Sequence, residues 1–126
     1  MANILLVEDD ISVRILAARA LETAGHSLVL ADDGAEGLDA ICAVDGRFDL
    51  IVSDIRMPAM DGIEMAKAAA ARYPGLCILL VTGYAEQRER AADLSGIVVD
   101  VVQKPFTLAE IRNRVSRALA NRAVAA

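Results

Sequence analysis

Acidic side chains follow two apolar runs of the sequence, in positions where they could bind a cation. Glu8, Asp9 and Asp10 follow the run NILLV, and Asp54 follows DLIVS. An unpaired carboxylate is costly to bury, so each must reach solvent or hold a charged partner. Neighbouring carboxylates raise each other's pKa unless a cation intervenes, and Mg²⁺ is the hard cation that oxygen ligands favour. The expected ligands are Glu8, Asp9 and Asp54, with a main-chain carbonyl near Arg56 as a further oxygen.

Asp54 at the centre of such a site could form a covalent bond. An ionised aspartate can attack phosphorus in a donor and become an aspartyl phosphate. The chemistry would then rest on positioning and charge neutralisation, with Mg²⁺ and the ammonium of Lys104 sharing the phosphoryl oxygens. The Thr82 hydroxyl would donate a hydrogen bond to one of those oxygens. No strong base is needed, because Asp54 is already ionised.

Short apolar runs of β type alternate with helix-like segments along the whole chain. Such alternation predicts an α/β fold with a single parallel, doubly wound sheet covered on both faces. The first, third and fourth runs are continuously apolar and belong in the middle of the sheet. Ligands gather outside the carboxyl ends of the strands in these sheets, which is where the acidic residues fall. The predicted strands cover residues 3–7, 27–31, 49–53, 77–81 and 98–102.

Helical periodicity places the connections between these strands. The first helix ends at Gly25, the second covers about 35–43, the third covers about 63–73, and a weakly anchored helix is predicted over 85–95. The last helix begins at Thr107 and carries Glu110 as part of a capping box. Its apolar face is predicted to hold Leu108, Ile111, Val115 and Leu119, and that of the first helix Val13, Leu16, Ala17, Ala20 and Leu21.

The composition restricts the classes of function. With 126 residues the chain suits one domain, predicted over 1–120, followed by a flexible tail over 121–126. A net charge of −5 argues against a nucleic-acid partner or an anionic membrane surface. Cys42 and Cys77 are too few and too isolated for a disulfide framework, and no secretory segment precedes the first strand, so a cytoplasmic location is expected.

Each of these features also has a simpler structural explanation. Asp10 can be a helix N-cap with no other role. Lys104 and the following proline can form a surface turn. Thr82 and the following glycine are common where a strand ends. Met57 and Met60 more often cover a core edge than bind a ligand. The functional interpretation depends on all these elements falling, in order, at the ends of successive strands.

Four motifs give the sequence a family resemblance over about residues 3–119. The segments ILLVEDD, DLIVSDIRMPAMDG, ILLVTGYA and VVQKPF resemble those of response regulator receiver domains. The resemblance implies a (βα)5 fold of the flavodoxin-like kind with strand order 2-1-3-4-5. It implies phosphorylation of Asp54 by a histidine kinase or histidine phosphotransferase, with phosphate sensing by Thr82 and Lys104. It also implies that Mg²⁺ is held by Glu8, Asp9, Asp54 and the main-chain carbonyl of Arg56.

One position departs from the family pattern. Receivers usually carry Tyr or Phe three residues before the lysine, where it moves inward on activation, and here that residue is Val101. Tyr84, two residues after Thr82, is the aromatic side chain nearest the predicted site. Two interpretations stay open for Tyr84: it moves in place of the missing aromatic, or it simply covers the 85–95 segment.

The output of the predicted receiver is a separate question. About seven residues follow the last helix, so we expect the partner to be another molecule that reads the surface around residues 85–119. Among single-domain receivers, VTGYAEQRERA and DVVQKPF are similar to the CpdR type, which implies a role as an adaptor for the ClpXP protease. The closing AVAA, which resembles a protease recognition tail, agrees with this.

Alternatives to the adaptor role remain. A phosphate shuttle or sink between kinases and phosphotransferases would use the same site. A Mg²⁺-dependent phosphatase with an aspartyl nucleophile is disfavoured, because such enzymes place a second aspartate two residues after the first, where this chain has Arg56. Arginines of the last helix are expected to stay solvated and offset its dipole rather than bind DNA; they are Arg112, Arg114, Arg117 and Arg122.

Overall fold

A computed structural model gives the architecture for residues 1–84, 89–91, 94 and 96–125, with side chains described as far as residue 121. Five parallel strands form one sheet in the order β2-β1-β3-β4-β5, which confirms the predicted fold class. The strands are β1 (Asn3–Val7), β2 (Ser27–Ala31), β3 (Leu50–Asp54), β4 (Ile78–Thr82) and β5 (Val98–Gln103). In the described ranges, the helices that can be delimited are α1 (Ile11–Thr23), α2 (Gly34–Ala43), α3 (Gly62–Arg72) and α4 (Leu108–Ala125).

Burial follows the predicted order of the strands. Every residue of β3 and β4 is buried, as expected for central strands of a parallel sheet. The edge strand β2 leaves Val29 and Leu30 about half exposed. One apolar core packs α2 and α3 against one face of the sheet, and a second packs α1 and α4 against the other. The pairing of β1 with β3 and of β3 with β4 brings the ends of these strands side by side at the carboxyl edge.

Side chains at the N-termini of two helices form the predicted capping hydrogen bonds. Asp10 accepts hydrogen bonds from the main-chain N–H groups of Ser12 and Val13, which makes it the N-cap of α1. Thr107 and Glu110 exchange side-chain to main-chain bonds in a capping box. These caps anchor the helices that leave the sheet beside the candidate site.

The boundaries differ from the predictions in small ways. β3 and β4 begin and end one residue later than predicted, so Asp54 and Thr82 are the last residues of their strands. Leu16 and Leu108 are 43% and 37% exposed, because they lie outside the faces that α1 and α4 pack against the sheet, where Leu21 and Ile111 are fully buried. The backbone of α4 is helical to Ala125. The predicted tail and domain boundary stay predictions.

The helix predicted over 85–95 lies largely outside the described residues. Within the part of the chain that the structure describes, no helix is long and apolar enough to cross a bilayer.

Candidate functional site

Three carboxylates converge at the carboxyl edge of the sheet. Glu8 follows β1 and Asp54 ends β3, two strands that pair directly in the sheet. Glu8, Asp9 and Asp54 each offer a carboxylate oxygen, and these oxygens lie within 4.8 Å of one another. Glu8 and Asp54 are buried, whereas Asp9 is exposed. The sequence placed these residues together correctly.

Lys104 lies among the buried carboxylates. Its Nζ is 2.7 Å from Glu8 Oε1 and 3.1 Å from Asp54 Oδ2, so one ammonium serves two acids. Its main-chain N–H donates to the carbonyl of Thr82 at 2.7 Å, which ties the end of β5 to the end of β4. The predicted contact between Lys104 and the site is therefore present in the fold.

The charges in this group are not balanced. Burial raises the pKa of Glu8 to about 7, and the charge of Asp54 raises it too, although the hydrogen bond from Lys104 lowers it. Burial would lower the pKa of Lys104, yet the hydrogen bond and charge of Glu8 and the charge of Asp54 raise it above its ordinary value. Two buried acids therefore compete for one cation, and an added divalent ion would relieve that competition.

The carboxylate of Asp54 is held in one orientation. Oδ1 accepts a hydrogen bond from the main-chain N–H of Ile55 at 2.8 Å, and Oδ2 faces Lys104. The Ser53 hydroxyl donates to the Asp54 carbonyl at 2.8 Å. Because Oδ1 is hydrogen-bonded to the backbone, Oδ2 is the oxygen that contacts the ammonium of Lys104.

The loop after β3 is closed tightly against the strand. The Gly62 N–H donates to the Ile55 carbonyl at 2.8 Å, and a Cβ on Gly62 would overlap the Asp54 carbonyl. Ala59 adopts a φ of 67°, while the Met60 N–H donates to the Pro58 carbonyl across it. Met57 is buried in the core, in agreement with its structural interpretation. This packing fixes the loop against the end of β3.

A cavity of about 490 Å³ opens over these residues. Arg56 and Tyr84 stand at its wall, with the guanidinium carbon of Arg56 4.8 Å from the centre of the Tyr84 ring. This is within the range of a cation–π contact. The sequence does not predict this contact, because each residue lies just beyond a strand end, where no periodic pattern sets the direction of a side chain. The lining residues are Glu8, Asp9, Asp10, Asp54, Arg56, Gly83, Tyr84 and Lys104.

Thr82 and Val101 do not line the cavity. Thr82 is buried, and its hydroxyl bonds the main chain of Tyr84, accepting from N–H at 3.1 Å and donating to the carbonyl at 3.3 Å. Val101 is half-buried and packs against the apolar core. Phosphate sensing by Thr82 and switching by Tyr84 or Val101 stay predictions, as does the ligand role of the Arg56 carbonyl.

A second ion pair corrects the prediction made for the last helix. Arg114 does not simply stay solvated: its Nε and Nη2 donate to both carboxylate oxygens of Asp100 at 2.6 Å, and Nη2 donates to the Val101 carbonyl at 3.2 Å. The hydrogen bond from Arg114 holds the pKa of Asp100 below its ordinary value. The contact clamps α4 to β5 beside Val101.

Comparison with known proteins identifies the family. The sequence profile of the response regulator receiver domain matches residues 4–116. The chain belongs to this receiver domain family. Response regulator MprA of Mycobacterium sp. (strain KMS) is 40% identical over 120 residues, which cover 95% of this chain and 51% of MprA. The receiver domain therefore spans about half the length of the curated relatives it matches.

Solved structures share the fold of this receiver. A CheY-like receiver domain protein from Methanospirillum hungatei JF-1 superposes with a TM-score of 0.89 at 26% identity, covering 100% of this chain and 99% of that one. TrrA of Thermotoga maritima, solved in complex with Mg²⁺ and BeF, superposes with a TM-score of 0.82 at 28% identity, covering 94% and 99%.

Family membership gives the pocket its context. Receiver domains are signalling domains of two-component systems, and they interact with histidine kinases and phosphotransferases. They bind Mg²⁺ in an acidic pocket, and the residues of this chain fit that ion, because the cluster offers hard carboxylate oxygens from Glu8, Asp9 and Asp54 at close range.

Proposed function

We propose that this receiver accepts a phosphoryl group on Asp54 from a histidine kinase or histidine phosphotransferase. The observation that carries the proposal is the position of Asp54 at the end of β3, where its Oδ2 lies 3.1 Å from Lys104 Nζ beside two further carboxylates. Burying Asp54 beside two other acids costs electrostatic free energy that Lys104 offsets only in part. Phosphoryl acceptance gives the arrangement a use.

The transfer is a simple displacement. An oxygen of ionised Asp54 forms a bond to phosphorus as the bond from phosphorus to the donor's imidazole nitrogen breaks, and that nitrogen keeps the electron pair. Glu8, Asp9, Asp54 and the Arg56 carbonyl would hold Mg²⁺, which neutralises charge on the phosphoryl oxygens when bound. The TrrA structure with Mg²⁺ and BeF supports this assignment.

Two residues act on the product in this proposal. Lys104, already 3.1 Å from Asp54, would stabilise a phosphoryl oxygen with its ammonium. The Thr82 hydroxyl would leave its bonds to the Tyr84 main chain and donate to the phosphoryl group. Because those bonds hold Tyr84, their loss would release the Arg56–Tyr84 contact at the cavity wall.

Mass spectrometry tests the acceptor directly. The protein is incubated with MgCl2 and acetyl phosphate, and the modified peptide is then mapped. We expect one phosphoryl group on Asp54 of the wild-type protein and none on the Asp54→Asn protein. Asp100→Asn, a matched substitution outside the cavity, should be labelled as the wild type is. A phosphoryl group on any other residue contradicts it.

The output is proposed to be a switched protein interaction. Phosphorylation adds negative charge and acceptor oxygens, which can bias an element with two arrangements. We propose that the element that changes on phosphorylation lies next to Thr82 and Tyr84, and that the partner binds the surface around residues 85–119. A partner footprint on α2, mapped by hydrogen exchange or crosslinking, would contradict this placement.

We further propose that the unphosphorylated form serves as an adaptor for the ClpXP protease in the cytoplasm. Its support is the similarity of residues 81–91 and 100–106 to CpdR-type receivers. With purified ClpXP and candidate substrates, the receiver should accelerate degradation, and phosphorylation should remove that effect. Unchanged degradation together with rapid reversible phosphotransfer would favour the shuttle or sink.

The receiver is not proposed to be a phosphatase. Arg56 occupies the position at which aspartyl phosphatases carry their second acid, and its guanidinium lies against Tyr84. A guanidinium cannot protonate a leaving group near neutral pH. Sustained hydrolysis of small phosphate esters would overturn this part of the proposal.

A further inference from the structure

Arg14 of α1 holds the backbone of the acidic loop between β1 and α1. Its Nη1 donates to the main-chain carbonyl of Glu8 at 2.8 Å and lies 2.7 Å from Asp32 Oδ1. The Arg14 side chain is only 16% exposed, whereas that of Asp32 is 67% exposed. The guanidinium therefore lies mostly buried behind the loop, and only its carboxylate partner is well solvated.

The contact falls on the peptide unit that carries the exposed acid. The Glu8 carbonyl and the Asp9 nitrogen belong to one planar peptide group, so a bond that fixes the carbonyl also fixes the start of Asp9. On the other side of Asp9, the Asp10 N–H donates to Glu8 Oε2 at 3.1 Å, and Asp10 caps α1. Asp9 is thus the exposed member of the cluster, yet its backbone is held at both ends.

The requirement for such support comes from charge repulsion. Glu8 and Asp54 share the ammonium of Lys104, but no ion pair is found for Asp9 within the described parts of the chain. An exposed acid beside two buried ones gains by turning towards solvent. A fixed peptide unit limits that movement and keeps the Asp9 carboxylate near Asp54.

We infer that Arg14 is a positioning residue that sets the Mg²⁺ affinity of this receiver by fixing the peptide between Glu8 and Asp9. The inference rests on the proposed function, since it assumes that the cluster of Glu8, Asp9 and Asp54 binds the ion. Groups that orient the ligands of a metal commonly change its affinity by about 10- to 100-fold. Arg14 acts through Asp9 and does not touch the ion.

The sign of the effect separates positioning from charge. Arg14→Met keeps the apolar stem and removes both contacts. If only charge mattered, loss of a cation near the site would strengthen Mg²⁺ binding. Positioning by Arg14 predicts the opposite, a weakening of roughly 10-fold.

The test is a titration with MgCl2, followed through the ¹⁵N amide shifts of Asp54 and Ile55 in metal-free protein. Asp32→Asn is the matched control, because it breaks the ion pair but leaves the bond to the Glu8 carbonyl, so its affinity should stay within about 2-fold of wild type. Amide exchange at Asp9 and Asp10 in metal-free protein should accelerate in Arg14→Met and not in Asp32→Asn.

The outcomes are distinguishable. Affinity in Arg14→Met that equals or exceeds wild type overturns the inference and leaves the proposed function standing, whereas absence of Mg²⁺ binding in wild type overturns both. If Arg14→Met does not fold, Arg14→Gln takes its place, because it keeps a polar side chain but lacks the guanidinium that reaches the Glu8 carbonyl. Affinity in Arg14→Gln that equals or exceeds wild type would then overturn the inference.

Discussion

Two cation–carboxylate groups lie near the end of β5 and differ in how their charges are matched. Arg114 faces one carboxylate, Asp100, with two hydrogen bonds of 2.6 Å. Lys104 faces two, Glu8 and Asp54. The pKa of Asp100 is lowered by its partner, whereas burial raises the pKa of Glu8 to about 7 despite its partner. The first group stabilises the fold, and the second is left able to take further positive charge.

Removing the shared cation should have the largest effect on stability. Lys104→Met leaves Glu8 and Asp54 buried without a partner, and breaking a buried ion pair is strongly destabilising. Since Lys104 is 22% exposed, we expect a loss of roughly 1–3 kcal/mol in the free energy of unfolding, measured by urea denaturation without Mg²⁺. Added MgCl2 should restore part of the loss. Unchanged stability in metal-free buffer would contradict the comparison.

Breaking the Arg114–Asp100 ion pair should lower the free energy of unfolding by less than Lys104→Met does. Asp100→Asn removes the charge that Arg114 binds in a half-buried setting, so about 1 kcal/mol of unfolding free energy should be lost near neutral pH. Arg114→Gln should cost a similar amount, and the double variant should cost less than the sum of the two. Additive losses would show that the two side chains do not stabilise each other.

The pH dependence of that loss has a definite sign. The folded-state pKa of Asp100 lies below its unfolded value, so the folded protein binds the proton less well and gains stability as pH rises. The difference between wild type and Asp100→Asn should be full above about pH 4, the ordinary aspartate value, and should shrink as pH falls below it. Urea denaturation at successive pH values measures it. A difference that grew on acidification would contradict the pairing.

Asp54→Asn should change the free energy of unfolding less than the other substitutions do. Its effect should also have the opposite sign to that of Asp100→Asn. Asp54→Asn removes one of two competing acids and leaves Lys104 matched with Glu8 alone. The amide oxygen can still accept the Ile55 N–H bond. We expect metal-free Asp54→Asn to be equal to wild type or more stable by up to about 1 kcal/mol. A clear loss of stability would mean that Asp54 is structural rather than strained.

The sequence predicts one of these groups and not the other for a physical reason. Glu8, Asp54 and Lys104 lie at or next to strand ends, and parallel strands bring their carboxyl ends to one edge. Arg114 and Arg14 lie on helices, where a contact depends on how the helix is rotated over its neighbour. The exposure of Leu16 and Leu108 has the same origin, since each continues a helical apolar pattern but lies outside the packed face.

The contacts of loops were also beyond sequence reasoning. Tyr84 was expected near the site, but its contact with Arg56 depends on side-chain directions that no periodic pattern sets. The bond between the Thr82 hydroxyl and the Tyr84 main chain likewise emerges only from the folded turn. Residue type and order predict which side chains meet at the strand ends, whereas the contacts made by helix and loop residues are visible only in the fold.

Acids outnumber cations around Asp54, and we expect this excess of negative charge to bind Mg²⁺. The most direct measurement is the free energy of unfolding as MgCl2 is raised, since an ion that binds only the folded state stabilises it by RT ln(1 + [Mg²⁺]/Kd). Wild type and Asp100→Asn should gain equally with rising Mg²⁺, and Asp54→Asn should gain much less. An equal gain in Asp54→Asn, or none in wild type, would contradict the claim.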